Sequence, residues 1–210
     1  MKYIIIIITI LSLTSCAKLK EHRVCEILDY DENGTLLMKI KYQYNNGILT
    51  HNYGYDNYDN IIFIIEYIYD SNNLLIKSIM KDNNYLNSEI TGQYDFISTY
   101  EYDNNKLIKT IYWLKNGEKI NYSIIYYEID KINKIETYNF TDEILYIIYF
   151  EYDIYGRRIK TFDENNELLS YREYNENNLL NNVVFNNGKY RIFIWENGIS
   201  RYNQDLFSHF

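Results

Sequence analysis

Tyr100-Glu-Tyr102-Asp103-Asn-Asn-Lys-Leu107 is the clearest copy of a phrase that recurs along this chain. The phrase has two aromatic residues at alternate positions, then an acidic or amide turn, then an aliphatic residue where the chain restarts. Aromatic residues two apart lie on one face of a β-strand, and Asp, Asn and Gly supply the conformations that turn a chain back on itself. Further copies begin at Tyr42, Tyr67 and Phe150, and weaker ones at Tyr53, Tyr127 and Tyr171.

The recurrence of this phrase predicts the fold class. Short strands separated by hairpin turns are typical of an antiparallel meander, and the pattern suggests roughly sixteen strands. The chain contains no proline, so its backbone can pair along the whole length. We therefore predict an all-β protein, in which an antiparallel meander of repeated β-hairpins forms a long, twisted or curled sheet.

The distribution of apolar residues predicts which faces are buried. Positions 61–69 and 144–152 are apolar on both faces, which requires cover on both sides of the sheet. The sheet must then curl, stack on itself or meet a partner. In 118–126, by contrast, Lys, Asn and Ser alternate with apolar residues, which predicts a half-buried strand with one buried row: Ile120, Tyr122, Ile124 and Tyr126.

One copy of the phrase has a family resemblance. Tyr152-Asp153-Ile-Tyr-Gly156-Arg157, followed by Ile159, resembles the Tyr-Asp-x-x-Gly-Arg-Leu core of the YD repeat in the Rhs and teneurin families. The resemblance extends in diffuse form over 28–200 and implies a sheet of β-hairpins. In those families the hairpins spiral into a shell around a toxin or an empty lumen. This chain is too short for such a shell, so the resemblance implies no encapsulation and no activity.

The first residues predict export. A basic start at Lys2 precedes an apolar run over 4–13 and then small residues, which is the pattern of a signal peptide. The run is shorter than the ~20 residues that a membrane-spanning helix needs. Leu13-Thr-Ser-Cys16 resembles the lipobox of bacterial lipoproteins, which implies cleavage before Cys16 and a lipid on that residue.

These features predict three segments and a location. We expect a signal peptide over 1–15, the lipidated Cys16 and a short tether over 16–23, and a YD-repeat-like β domain over 24–210. The lipid would hold the protein in the bacterial cell envelope, in the outer membrane or on the outer face of the cytoplasmic membrane. With Cys16 lipidated, Cys25 has no intramolecular disulfide partner. We expect Cys25 to be a small buried residue at the start of the first strand, with an intermolecular disulfide as the alternative.

A search for catalytic chemistry finds no site. Asp29, Asp31 and Asn33 match the opening of an EF-hand loop, but Ile40 stands where the closing Glu is required, so we predict a hairpin turn and leave weak calcium binding open. No nucleophile motif, phosphate loop or metal-ligand spacing occurs. The formal net charge of −8 argues against nucleic acid as a partner. We predict a protein without catalytic residues, metal or cofactor.

Aromatic residues are the remaining candidates for binding. Trp113 and Trp195 stand next to turns, and aromatic rows suit sugar rings or protein surfaces. The rows comprise Tyr67, Tyr69, Tyr100, Tyr102 and Tyr152. Alternatively, the rows are the packing ridge of the repeat itself and are buried by the curl of the sheet.

Three functional hypotheses follow. The first is a lipid-anchored, non-enzymatic envelope protein that presents its sheet to another protein. The second is a surface glycan-binding lipoprotein that uses the aromatic rows, and the third is a spacer without a specific ligand. An envelope hydrolase is the weakest hypothesis. The free edges of an open sheet would also allow a homo-oligomer or a captured partner strand.

Overall fold

The structure, a computed structural model, describes residues 23–82 and 96–195. Within them the chain forms a closed antiparallel barrel, in which each strand pairs with its sequence neighbours and β14 pairs with β1. The strands are β1 (Val24–Tyr30), β2 (Leu36–Asn45), β3 (Ile48–Tyr55), β4 (Ile61–Tyr69), β5 (Leu75–Asp82), β6 (Phe96–Asp103), β7 (Lys106–Leu114), β8 (Lys119–Glu128), β9 (Lys131–Asn139), β10 (Ile144–Tyr152), β11 (Arg158–Asp163), β12 (Leu168–Tyr174), β13 (Leu180–Phe185) and β14 (Tyr190–Trp195).

Closure of the sheet corrects part of the sequence prediction. The all-β antiparallel meander is confirmed, but the long, twisted or curled sheet is wrong, and the described strands number 14. Hairpins carry a β-bulge near the turn: Glu101 pairs with Lys109 and Tyr102 with Leu107, which leaves Ile108 as the extra residue. Each bulge adds to the right-handed twist. Closure pairs both edges, so the predicted strand addition at free edges is not available to the described strands.

The turns follow the chemistry that the phrase predicts. The Asp70 carboxylate accepts hydrogen bonds from the amides of Asn72 at 2.9 Å and Leu74 at 2.8 Å, and Asn73 has a φ of 61°. The same pair of side-chain bonds occurs at Asp31, Asp56, Asn139, Asp153, Asp163 and Asn175. Three tighter hairpins instead have two residues of positive φ, at 46–47, 104–105 and 129–130.

The second aromatic residue of the phrase ties neighbouring strands together. The hydroxyl of Tyr102 donates to the carbonyl of Leu75 at 2.9 Å, and that of Tyr152 to the carbonyl of Ile132 at 2.8 Å. Equivalent bonds are made by Tyr44, Tyr127 and Tyr174. These bonds lie at the end of the barrel where β1 begins and β14 ends, which we call the terminal end.

The first aromatic residue of the phrase points into the barrel, beside small polar residues. The Tyr100 hydroxyl lies 2.8 Å from the Ser78 hydroxyl, and the Tyr67 hydroxyl accepts a bond of 2.9 Å from the Asn52 amide. Small hydroxyl residues are buried on the inner face of the wall: Ser78, Ser98, Thr110, Ser123, Thr137 and Ser170. Three of them, Thr110, Ser123 and Thr137, form a cross-strand row. Small side chains beside large ones let the interior of a barrel fill without clashes.

Strand β8 faces the opposite way from the prediction. Ser123 and Ile125 are buried, whereas Tyr122 and Tyr126 lie on the outer wall. Ser123 pairs with Thr110 on one side and with Thr137 on the other, so it belongs to the buried hydroxyl row. The predicted buried row of 118–126 is therefore wrong at Tyr122 and Tyr126, because the neighbouring strands set the phase of this one. Ile120, the extra residue of a bulge, does pack against the buried cluster.

The predicted N-terminal features cannot be placed on this barrel. The signal peptide over 1–15 and Cys16 lie outside the described residues, together with all of the tether except Arg23. Across the residues that the structure describes, no helix has the length and hydrophobicity to cross a bilayer.

Candidate binding surface on the outer wall

Aromatic residues of three neighbouring strands, β7 to β9, form a surface on the outside of the barrel, which Ile144 of β10 extends. Trp113 of β7 pairs with Lys119 of β8, Tyr122 of β8 pairs with Tyr138 of β9, and Tyr138 in turn pairs with Ile144 of β10. Directly paired residues of an antiparallel sheet lie on the same face. We call the set Trp113, Tyr122, Tyr126, Tyr138 and Ile144 the outer aromatic surface.

The rings of this surface are stacked and covered by lysines. The Tyr122 and Tyr138 centroids are 5.0 Å apart and their planes differ by 8°. The Lys119 ammonium lies 4.2 Å from the Tyr122 centroid, and the Lys134 ammonium lies 4.4 Å from that of Tyr126. Such cation–π contacts hold rings and lysines in one arrangement. The surface is therefore an ordered aromatic platform that carries the positive charge of these lysines.

Glu136 orients two of these tyrosines. Its carboxylate accepts hydrogen bonds from Tyr126 at 2.7 Å, Tyr138 at 2.6 Å and Lys134 at 2.7 Å. These bonds lower the pKa of Glu136 to about 2, and the bond to Glu136 raises the pKa of Tyr138 to about 12. The carboxylate is thus ionised and fully engaged, which gives it a positioning role rather than the character of a general acid or base.

Exposed apolar side chains border the platform. Ile144 is 54% exposed and Leu145 51%, and Phe140 in the preceding turn is 67% exposed. Leu145 is the extra residue of a bulge, because Ile144 pairs with Tyr138 and Tyr146 with Thr137. The prediction that both faces of 144–152 are covered is therefore wrong at Ile144 and Leu145, whose side chains no other described residue buries. Apolar side chains grouped beside polar ones on a surface are typical of contact sites.

The predicted aromatic sites lie in three different places. Trp113 belongs to the outer aromatic surface, and its Nε1 donates to Thr99 Oγ1 at 3.0 Å. Tyr67 and Tyr100 are buried inside the barrel, and the half-buried Tyr69, Tyr102 and Tyr152 lie at or next to the last residue of their strands, at the terminal end. Trp195 is buried, and its Nε1 donates to the carbonyl of Leu180 at 2.9 Å.

The structure thus separates Trp113 from the other predicted residues. A binding role for Tyr67, Tyr69, Tyr100, Tyr102, Tyr152 and Trp195 stays a prediction. Sequence reasoning missed the stacked pair, Tyr122 and Tyr138, because it placed the first in a buried row. The alternate positions Lys134, Glu136 and Tyr138 held a signal, because two charged residues on one strand face indicate that this face, with Tyr138, is the outer one.

The predicted turn near Asp31 is confirmed, and its carboxylates do not converge. Asp31 accepts bonds from the amides of Asn33 at 2.9 Å and Thr35 at 2.7 Å. Asp29 instead forms a two-pronged ion pair with Arg191, at 2.6 and 2.8 Å. Within the described ranges, no group of three or more His, Cys, Asp or Glu side chains is arranged to hold a metal ion.

Cys25 is half-buried rather than buried. It is the second residue of β1, and its thiol donates to the carbonyl of Ile194 at 3.3 Å. The predicted full burial is wrong, and an intermolecular disulfide at this residue stays a prediction.

Comparisons with known proteins assign no family. No family model matches the chain, and no curated protein matches it. A porin-like protein from Bacteroides uniformis shares 10% identity over 82% of this chain and 98% of its own, with a TM-score of 0.46. The TcdB2-TccC3-Cdc42 structure shares 15% identity over 74% of this chain and 9% of its own, with a TM-score of 0.25. Both TM-scores are below 0.5, so neither similarity assigns a function, and the YD-repeat and lipobox resemblances stay expectations.

Proposed function

We propose that this chain is a lipid-anchored, non-enzymatic protein of the bacterial cell envelope that binds a protein partner through its outer aromatic surface. The observation that carries the proposal is the stacked Tyr122–Tyr138 pair, oriented by Glu136 and bordered by exposed aliphatic residues. Tyrosine and tryptophan are enriched at protein interfaces, where rigid rings supply contact area at low cost in entropy.

The composition of the outer wall supports a lipid anchor over insertion of the barrel itself. Outward positions in mid-strand carry charge, as in the pair of Lys134 with Glu136 at 2.7 Å in the middle of β9, and further ion pairs join neighbouring strands, such as Lys160 with Glu151 at 3.1 Å. A membrane-spanning barrel has an apolar outward band instead. Membrane attachment would then come from Cys16, within the predicted lipobox.

The barrel would stand on the membrane by its terminal end. Cys16 precedes Val24 by a short tether, and β1 begins at that end. The outer aromatic surface belongs to the side wall, so it would face neighbouring envelope proteins.

Two exposed leucines allow a matched test of the binding surface. Leu145 borders the platform at 51% exposure, and Leu37 is a bulge residue on a different part of the wall at 44% exposure. A photo-crosslinking amino acid at either position leaves the barrel intact. We expect a discrete protein adduct in intact cells from position 145 and none from position 37. Equal labelling from both positions, or no adduct from 145, would contradict the proposed partner surface.

The anchor has its own test. In the producing bacterium, Cys16→Ser removes the only thiol of the lipobox. We expect the unaltered chain to sediment with membranes in high salt and the variant to leave them. Cys25→Ser is the control and should sediment like the unaltered chain. Membrane association that survives Cys16→Ser would exclude lipid on that residue.

A glycan ligand is the second candidate, because the same stacked rings suit a sugar. The Tyr122 hydroxyl also donates to the Asp142 carboxylate at 2.9 Å, which places a polar acceptor beside the ring. If a glycan is the ligand, envelope polysaccharide should quench the fluorescence of Trp113, and Tyr138→Ala should abolish the quenching. Quenching that persists in that variant would exclude this surface as the glycan site.

A further inference from the structure

Two arginines replace apolar or aromatic residues of the phrase at inward positions. Opposite the second aromatic residue, other hairpins at the terminal end have an aliphatic residue: Leu49, Leu75, Leu107, Ile132 and Leu180. The β10–β11 hairpin has Arg158 at this place, paired with Tyr152. At the place of the first aromatic residue, β12 has Arg172, where the clearest copies have Tyr42, Tyr67, Tyr100 and Phe150.

Both guanidinium groups are withdrawn from water. Arg158 is 9% exposed, and its guanidinium carbon lies 4.8 Å from the centroid of the Phe150 ring. The Nε of Arg172 is buried and has no hydrogen-bond partner. Burial, and then the positive charge of Arg172, lower the pKa of Arg158 to about 9, and burial also lowers the pKa of Arg172. Both groups nevertheless carry a charge at neutral pH.

A third buried arginine shows what these two lack. Arg191 lies in the same cross-strand row as Arg172, through Val183, and its guanidinium is neutralised by the two-pronged ion pair with Asp29. In the described part of the barrel, no carboxylate forms an ion pair with Arg158 or Arg172. A buried charge without a counter-charge is strongly destabilising.

The surroundings provide a place for a counter-ion. Phe150 and Tyr152 line a cleft of about 280 Å³ at the terminal end, together with residues of the β8–β9 hairpin that include Glu128. Arg158 does not line this cleft, but it contacts the Phe150 ring and pairs with Tyr152 across the ladder. Lys131 also lines the cleft, with its ammonium 5.3 Å from the Tyr152 centroid. Arg158 is thus separated from this opening by the rings that line it, and Arg172 is not among the lining residues. Arginine pairs with planar or tetrahedral oxyanions through its fork of donors.

We propose that the interior of the barrel at the terminal end binds an oxyanion between Arg158 and Arg172. Two uncompensated positive charges match a dianionic phosphate group best, so the ligand is a small molecule that bears a phosphate. The site lies inside the barrel and depends neither on the outer aromatic surface nor on lipid at Cys16.

The test uses variants that restore the residues of the other hairpins. Arg158→Leu and Arg172→Tyr place in each position the side chain that the phrase has elsewhere, so both chains are expected to fold, which circular dichroism checks. The control is Arg157→Gln, because Arg157 neighbours Arg158 in sequence but pairs with Asp153 and Asn178 in the turn.

Inorganic phosphate is titrated into the full chain by calorimetry, with sodium chloride holding the ionic strength constant. We expect saturable binding to the unaltered chain and to Arg157→Gln, weakened at least tenfold in Arg158→Leu and in Arg172→Tyr. Acetate is titrated in parallel. If acetate binds as tightly as phosphate, the anion site is supported but its ligand is a carboxylate rather than a phosphate. The proposal would be overturned if neither anion bound saturably. It would also be overturned if Arg158→Leu and Arg172→Tyr both bound phosphate as tightly as the unaltered chain.

Discussion

Gly54 is where the packing of the barrel leaves least room, and Gly54→Ala tests that packing. Gly54 pairs with Ile40 on one side and with Phe63 on the other. A Cβ at this position would lie 2.2 Å from the nearest carbon of the Phe63 ring, whereas ordinary contacts begin at 3.4 Å. The ring therefore lies flat over the glycine, from where it packs against the buried cluster that contains Ile27, Ile40 and Phe193.

The cost follows from the displacement that the new methyl group demands. The ring must move by more than about 1 Å, away from a packed cluster, and overpacking of this kind costs about 1–3 kcal/mol. For a chain of this size, each kcal/mol shifts the midpoint of thermal unfolding by about 2–4 °C, so we expect a fall of about 2–12 °C. Phe63→Leu removes the obstructing ring and should absorb most of the effect.

The assay is a double-mutant cycle measured by urea unfolding. We expect Gly54→Ala and Phe63→Leu to be coupled by about 1 kcal/mol or more in the free energy of unfolding. Gly117→Ala is the control: it has a φ of +87° and no atom within 4 Å of the added Cβ, so its cost is backbone strain alone and should add to that of Phe63→Leu. Full additivity of Gly54→Ala with Phe63→Leu would refute the account of this contact.

Three further predictions concern single groups. Glu136→Gln should lower the thermal midpoint above pH 4.5, and its difference from the unaltered chain should shrink as the pH falls toward 2, because the pKa of Glu136 in the folded state is about 2 against an ordinary 4.5. A difference that is constant with pH would contradict this. Tyr152→Phe removes the donor to the Ile132 carbonyl and should cost about 1 kcal/mol in urea unfolding. Tyr155→Phe, at a residue 76% exposed, is the control and should cost less than about 0.5 kcal/mol. Equal losses of stability in the two variants would contradict a stabilising role for the hydrogen bond between Tyr152 and Ile132. Ile129→Asn should raise the free energy of unfolding by about 1 kcal/mol, since a φ of 45° strains a branched side chain, and a fall would disprove the strain.

The hairpins and their turns could be predicted because their causes are local. Alternate aromatic residues define a strand face. The side-chain oxygen of an Asp or Asn accepts hydrogen bonds from the backbone amides two and four residues later, as at Asp70. The phrase therefore predicted an all-β meander and the position of its turns. It also indicated, through the packing-ridge alternative, that rows containing Tyr67 and Tyr100 could be buried.

The outer aromatic surface could not be predicted, because the phase of β8 depends on its neighbours. Alternation alone favoured a buried row with Tyr122 and Tyr126, but Ser123 joins a hydroxyl row shared with Thr110 and Thr137. A buried position next to rings such as Tyr112 favours a small side chain. The hydrogen bond between Tyr126 and Glu136 likewise depends on strand register, because the two residues lie on different strands.

The sequence pattern does not predict the closure of the barrel or the burial of charged side chains inside it. Successive bulges add twist until β14 meets β1, and that pairing joins residues as far apart in the chain as Asp29 and Arg191. Local chemistry accordingly determines strands and turns, because each needs only neighbours in sequence. The enclosure of Arg158 and Arg172 was set by the meeting of distant strands, because only a closed wall has an inside.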